Sequence, residues 1–325
     1  MTPSGFGDSR ALGASGTQQV GYGSNHALLW NGSAESFIDL NPSGFAGSKA
    51  TGISGTQQVG YGSKGSNHAL LWNGSAESFV DLHPSGGYTA SYAAATNGTQ
   101  QVGYSYPSRA LLWSGTAASC ISLHPSGFAG SRATGISGTQ QVGWIASTDW
   151  HTPYASMGTH AFLWNGSAAS RIDLNPSGFD QSEASGISDT QQVGRGILSN
   201  NDSHALLWSG SADSFIDLNP SGYSWSTAMG TNSTQQVGYG AGSATDGNSH
   251  ALLWNGSEIS YIDLHQFLPT GFIKSYAQAI DSYGNIAGYA TDSSNDYHAI
   301  LWQPIPEPAT LLLLGLGFLG LRKRK

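Results

Sequence analysis

With a single cysteine, Cys120, in 325 residues, the chain can build neither a disulfide framework nor a cysteine-based zinc site. Charge is scarce as well: Asp, Glu, Lys and Arg together make up 10% of the residues, and the formal net charge is -8. Four of the 12 basic residues are the last four of the chain, and the others stand singly. No basic stripe of the kind that tracks a nucleic-acid backbone is present, which excludes that class of partner. The opening MTPSGFGDSR has neither the basic n-region nor the apolar h-region of a secretory signal. The oily run from Ala309 to Leu321 is thirteen residues, short of the roughly 20 that cross a bilayer comfortably.

What the chain does have is glycine, 45 residues, and aromatics, 11%. A disordered chain would be poor in aromatics and rich in charge, so this one folds. Self-similarity is its strongest signal. The TQQVG motif or a relative places its Val or Ile at 20, 59, 102, 142, 193, 237 and 286, and an apolar stretch ends at Trp30, Trp72, Trp113, Trp164, Trp208, Trp254 and Trp302. Each of these seven copies holds four short segments of strand character between turn signals. Asn-Gly or Ser-Gly follows six of the tryptophans, as at Asn31-Gly32, and reads as a hairpin turn between strands three and four. Seven four-stranded units predict an all-β, seven-bladed β-propeller over residues 3–302. A β-solenoid is the rival, with fewer strands and shorter periods per coil.

Length variation is concentrated in one loop. From the glycine of strand two to the residue opening strand three the steps are 5, 8, 6, 17, 10, 12 and 10. In an antiparallel blade this loop and the connection to the next blade emerge on the same side, so the insertions crowd one rim, the usual place for binding. The seventh copy runs into Gln303-Pro304 instead of a fourth strand, and Thr2-Pro3-Ser4-Gly5 aligns with the NPSG that follows a fourth strand. The last blade is therefore expected to be incomplete and the ring leaky, with the natural start upstream of Met1, bringing a signal peptide and the missing strand.

Repetition weighs against chemistry at the regular positions. A histidine opens strand three in six copies, from His26 to His298. One such residue per blade stands too far from the next to share a metal ion, so each is expected to bond a neighbouring strand or loop. The tryptophans are expected to pack between blades, and aspartates such as Asp39 and Asp173 to accept backbone N–H bonds at the following turns. The irregular positions say more. The longest insertion sets Trp150, His151 and Tyr154 beside Asp149, a mixture suited to a carbohydrate edge and a candidate ligand loop. Asp246, Asp292 and Asp296 lack the run of a calcium loop. No metal, cofactor or catalytic residue is predicted.

Pro306, Glu307 and Pro308, then the apolar run, then Arg322, Lys323, Arg324 and Lys325 resemble the PEP-CTERM sorting signal of Gram-negative bacteria. The resemblance implies a linker over 303–308 and, over 309–325, a short hydrophobic helix with a basic tail. It implies a transient tether in the inner membrane, an exosortase as processing enzyme, and release to the cell surface or the exopolysaccharide matrix. The elements S-x-A-[TS]-G-I-S, Q-V-G-[YWR] and H-A-[LF]-L-W resemble the HAF family of extracellular repeats. Together these readings predict an exported, monomeric propeller that binds or scaffolds and is not an enzyme. A lectin-like carbohydrate binder and a propeller enzyme are the alternatives.

Overall fold

The computed structural model describes residues 1–147 and 158–305. Seven antiparallel sheets follow one another along the chain, each with its strands in sequential order: six have four strands and the last has three. The architecture is the expected all-β seven-bladed propeller, and among the described residues the only helical pieces are short 3-10 turns. In blade one the strands are Ser9–Ser15, Gln18–Gly23, His26–Trp30 and Ile38–Asp39.

The turn after the tryptophan is longer than the two-residue hairpin expected from Asn-Gly. Gly32 does take the positive φ of 81°, but the chain continues into a 3-10 turn at Ala34–Ser36 before strand four. Side chains hold this loop: Ser36 Oγ accepts from Asn31 N at 2.8 Å, and Gln19 Oε1 accepts from Gly32 N at 3.0 Å.

Three repeat letters are explained by contacts that recur in every blade. Strand one carries a bulge, at Ala11/Gly13 in the first blade, and its carbonyls press on strand two. A Cβ on Gly21 would lie 1.9 Å from Arg10 O, and the equivalent glycines would meet a carbonyl at about the same distance. No side chain fits there, so Q-V-G must keep its glycine. The serine of S-x-A joins blades: Ser48 Oγ accepts from Ala27 N at 3.1 Å and donates to Asn41 Oδ1 at 2.7 Å. Where the partner is histidine, as at His83, Nδ1 takes the place of the amide oxygen, 2.9 Å from Ser91 Oγ. The tryptophans pack between blades, as expected: Trp72 of blade two lies against Val20, Ala27, Leu29 and Leu40 of blade one.

The ring closes through the same contacts. Ala299 N donates to Ser9 Oγ at 3.0 Å, and Met1 N donates to Ala299 O just as Leu40 N donates to Ala27 O. The interface between blades seven and one is therefore tight. The incompleteness lies at the outer edge of blade seven, where among the described residues the third strand Tyr297–Trp302 is paired on its inner side only. Ile300 and Leu301 are half-buried there, while Leu28 and Leu29 of blade one are 0% and 2% exposed.

Candidate functional site

First strands of all seven blades line a central channel of about 340 Å³, through positions such as Leu12, Thr51, Ala94, Thr134, Ser185, Met229 and Gln278. Two residues before each of these stand Arg10, Lys49, Tyr92, Arg132, Glu183, Thr227 and Tyr276. Residues i and i+2 of a strand share a face, so this second ring lies at one mouth of the channel. Directly across in strand two are Tyr22, Tyr61, Tyr104, Trp144, Arg195, Tyr239 and Tyr289. Directly opposed residues of an antiparallel pair point the same way. The mouth thus gathers eight aromatic side chains, and it holds four of the eight Lys and Arg that precede the tail.

Contacts run from blade to blade around this mouth. The Lys49 ammonium lies 4.2 Å from the Tyr22 ring of the preceding blade, and the Arg10 guanidinium lies 3.7 Å from the Tyr297 ring and 5.0 Å from that of Tyr289. Tyr61 meets Tyr92 edge-on at 5.0 Å, and Tyr92 stacks on Tyr104 at 4.8 Å. Arg132 covers Tyr104 at 4.3 Å and Trp144 at 5.3 Å. Asn67 Nδ2 donates to Tyr92 Oη at 3.0 Å, fixing that ring. On the far side Tyr239, Tyr276 and Tyr289 pack in series.

The charges here are unevenly compensated. Arg195 grips Glu183 Oε2 through Nε at 3.1 Å and Nη2 at 2.8 Å. Among the described residues Arg10, Lys49 and Arg132 have no carboxylate within ion-pair distance, and Arg132 Nε is buried without a hydrogen-bond partner. Burial first, and the Arg10 charge second, hold the Lys49 ammonium below its ordinary pKa. Burial pushes the Tyr61 phenol up to about 12, with the neighbouring Tyr104, Tyr22 and Tyr92 adding to it. The Tyr61 phenol is therefore neutral at physiological pH, and Arg10, Lys49, Arg132 and the Glu183-paired Arg195 make the mouth a cationic patch on an acidic protein.

The expected rim is the one on which this mouth opens. Turns between strands two and three interleave there with the connections between blades: Ser48 N donates to Asn25 O, and Ser275 N to Ser249 O, both at 2.9 Å. Ser147 N donates to Gly158 O at 3.1 Å three residues beyond Trp144, so these two residues stand on this rim. Asp149, Trp150, His151 and Tyr154 themselves lie outside the described residues. So do Pro306, Glu307, Pro308, the apolar run and Arg322 to Lys325. In blade seven His298 Nε2 lies 3.0 Å from Asp292 Oδ2 of strand two, whereas the other five histidines opening strand three bond the aspartate of strand four, as His26 Nδ1 to Asp39 Oδ2 at 2.6 Å and His160 Nδ1 to Asp173 Oδ2 at 2.8 Å. The same aspartates accept from the following turn, Asn41 N to Asp39 Oδ1 at 2.8 Å. Copy three loses both partners together, and Arg109 instead donates to Ser108 O and Ala129 O. No group of three or more His, Cys, Asp or Glu that could hold a metal occurs among the described residues.

The mouth residues were missed by reasoning from the repeats. The signal was available: the letter x of S-x-A and the last letter of Q-V-G-[YWR] become register partners once strands one and two are paired.

Fold and site together define a seven-bladed propeller with an aromatic and cationic channel mouth. Residues 304–325 match the family described as PEP-CTERM protein-sorting motif, which implies export, a C-terminal membrane-anchor signal and an exosortase as processing partner. That match covers the sorting signal alone and does not show the HAF-type character of the repeats. Comparison with curated protein sequences gives no match.

Among solved structures the chain is similar to a puromycin hydrolase, at 10% identity and a TM-score of 0.57 over 93% of this chain and 55% of that one. It is also similar to an acylaminoacyl peptidase of Pyrococcus horikoshii, at 9% identity and a TM-score of 0.55 over 95% and 54% of the two chains. A post-proline cleaving enzyme from Rickettsia typhi aligns at 9% identity with a TM-score of 0.51, over 94% and 54%. The chain thus spans about half the length of these structures. The expectation that the chain is not an enzyme does not stand. This architecture occurs within hydrolases and peptidases, so neither the fold nor the sorting motif excludes activity. The likeness shows the fold alone. No helix among the described residues is long and apolar enough to cross a membrane, and the hydrophobic helix expected over 309–325 falls outside them.

Proposed function

We propose that the chain is an exported protein, displayed at the cell surface or in the extracellular matrix after exosortase removes its tail, and that its propeller binds a matrix component at the channel mouth. One observation carries the binding part: three cations that have no carboxylate partner among the described residues, set among eight aromatic rings, stand at the mouth of a channel whose wall is uncharged. A propeller interior gains stability from apolar packing, and like charges such as Arg10 and Lys49 held close together work against it. A ligand that meets them gives the arrangement a use. This favours the lectin-like version of a binding propeller, and the regular His-Asp pairs around the ring are structural.

Export and processing are tested by expressing the chain behind a secretory signal peptide, together with an exosortase, in a Gram-negative host and measuring the intact mass of the surface fraction. The expected mass lacks Arg322 to Lys325. A surface form that retains these residues, or full-length protein confined to the cytoplasm, overturns the proposal.

A further inference from the structure

We infer that the channel mouth takes an acidic polysaccharide, whose carboxylates meet Arg10, Lys49 and Arg132 while its sugar rings lie on the tyrosines between them. This rests on the mouth being the binding site and adds the class of ligand.

Order around the ring carries the inference. Going from blade one to blade four, the side chains run Arg10, Lys49, then Tyr61, Tyr92 and Tyr104 in unbroken contact, then Arg132. Cation, aromatic platform and cation therefore alternate along an arc. A polymer with an anionic group on some of its rings presents the complementary order, since a pyranose face packs on an aromatic face and its carboxylate lies at the ring edge. The cations are poised for an external anion: each sits against a tyrosine ring, and none has a carboxylate of this chain within ion-pair distance among the described residues. Burial of part of each side chain lowers the local dielectric and strengthens the pairing. The opposite arc differs. Glu183 already occupies Arg195, and Thr227 adds no charge. A ligand with charge along one edge is thus directed to blades one to four.

Composition points the same way. A net charge of -8 repels polyanions in general, so a polyanion approaches where the sign is locally reversed, and at this mouth it is. Neutral glycans would gain the stacking but would leave the cations half-buried and unpaired.

Binding of the purified full chain is measured by calorimetry with three probes: an alginate hexamer, cellohexaose as a neutral sugar of equal length, and poly-glutamate as a polyanion without sugar rings. The alginate hexamer is expected to bind, and the double variant Lys49→Gln/Arg132→Gln to weaken it by roughly a hundredfold, on the order of tenfold per cation. Arg171→Gln, on the outer edge of blade four, leaves the affinity unchanged. Thermal melts report whether each variant folds. If Lys49→Gln/Arg132→Gln does not fold, each single variant takes its place with a roughly tenfold loss. Cellohexaose binding as tightly as alginate, with Tyr92→Ser abolishing both, would sink the acidic ligand and leave the mouth as the binding site. Poly-glutamate matching alginate would sink the sugar component. Alginate binding that ignores every mouth variant, or no binding of any probe, overturns both the ligand class and the mouth.

Discussion

Removing one hydroxyl between blades should cost more than removing most exposed contacts in the ring. Ser182 Oγ is fully buried, accepts from Ala161 N at 3.0 Å and donates to Asn175 Oδ1 at 2.7 Å. Ser182→Ala leaves a backbone donor of blade four and an amide acceptor of blade five without partners, in a site with no room for rearrangement. Each such group costs about 1–3 kcal/mol, so the pair should cost about 2–6 kcal/mol, a large fraction of the stability of a domain. Ser170→Ala is the control. Its Oγ accepts from Asn165 N at 2.8 Å and donates to Ser167 O at 2.7 Å, but both bonds lie at the surface, water replaces them, and the loss should stay within about 0.5 kcal/mol. Urea denaturation supplies the free energies, and amide exchange at Ala161 localises the effect to the interface between blades four and five, as expected when each repeat contacts only its neighbours. A Ser182→Ala protein within about 0.5 kcal/mol of the parent, or one no weaker than Ser170→Ala, would refute the claim that these serines hold the blades together.

Two further perturbations test the same framework. In Gly238→Ala the new Cβ would meet Thr227 O at 2.0 Å, backbone against backbone. Strands one and two of blade six must then part, and a drop in the thermal midpoint of several degrees is expected; an unchanged midpoint would contradict the bulge argument. The second concerns acid stability. Burial first, and the Arg109 charge second, bring the His124 pKa from 6.5 down to about 4. Below pH 6.5 the unfolded chain takes up a proton that the folded chain refuses until about pH 4, so stability present above pH 6.5 is lost as pH falls through that window. His124→Asn supplies the acceptor that Asn175 supplies in blade five, and it removes this proton. The difference in urea midpoint between pH 7 and pH 4.5 should shrink, with His83 and His265, whose pKa values burial also lowers, contributing to the loss that remains. An undiminished difference would show that His124 takes no part.

Blade number, strand order and the rim of the insertions were legible because they follow from periodicity, and periodicity needs no partner information. The packing role of Trp72 was legible too, since a large apolar residue in constant phase has few other uses. The turn after Asn31 was misjudged because Asn-Gly states only that a positive φ is needed, which Gly32 supplies, and not how many residues follow before the strand. The link from Asn41 to Ser48 was invisible in either residue alone. It joins two letters seven positions apart through a contact made to a third residue, Ala27 of the neighbouring blade. The mouth was missed for a related reason. Arg10, Lys49 and Arg132 look like scattered single charges in the sequence, 39 and 83 residues apart, and only the ring brings them to one end of a channel.

That contrast separates two kinds of position within one repeat. The serine, alanine and glycine that recur in strands one to three are constrained seven times over by the same inter-blade bonds and close approaches. The residue between serine and alanine points at the channel, is released from that constraint, and becomes Arg, Lys, Tyr, Arg, Glu, Thr and Tyr in turn. Seven-fold symmetry therefore ends at the mouth while it persists in the walls. A ligand seated on the axis would meet seven like side chains in a symmetric ring, and this chain does not offer that. Its unpaired cations and the Tyr61, Tyr92 and Tyr104 series are arranged along blades one to four, with a neutralised pair in blade five, so the geometry suits an extended molecule lying along an arc, its charges spaced by rings, more than a compact one plugging the channel.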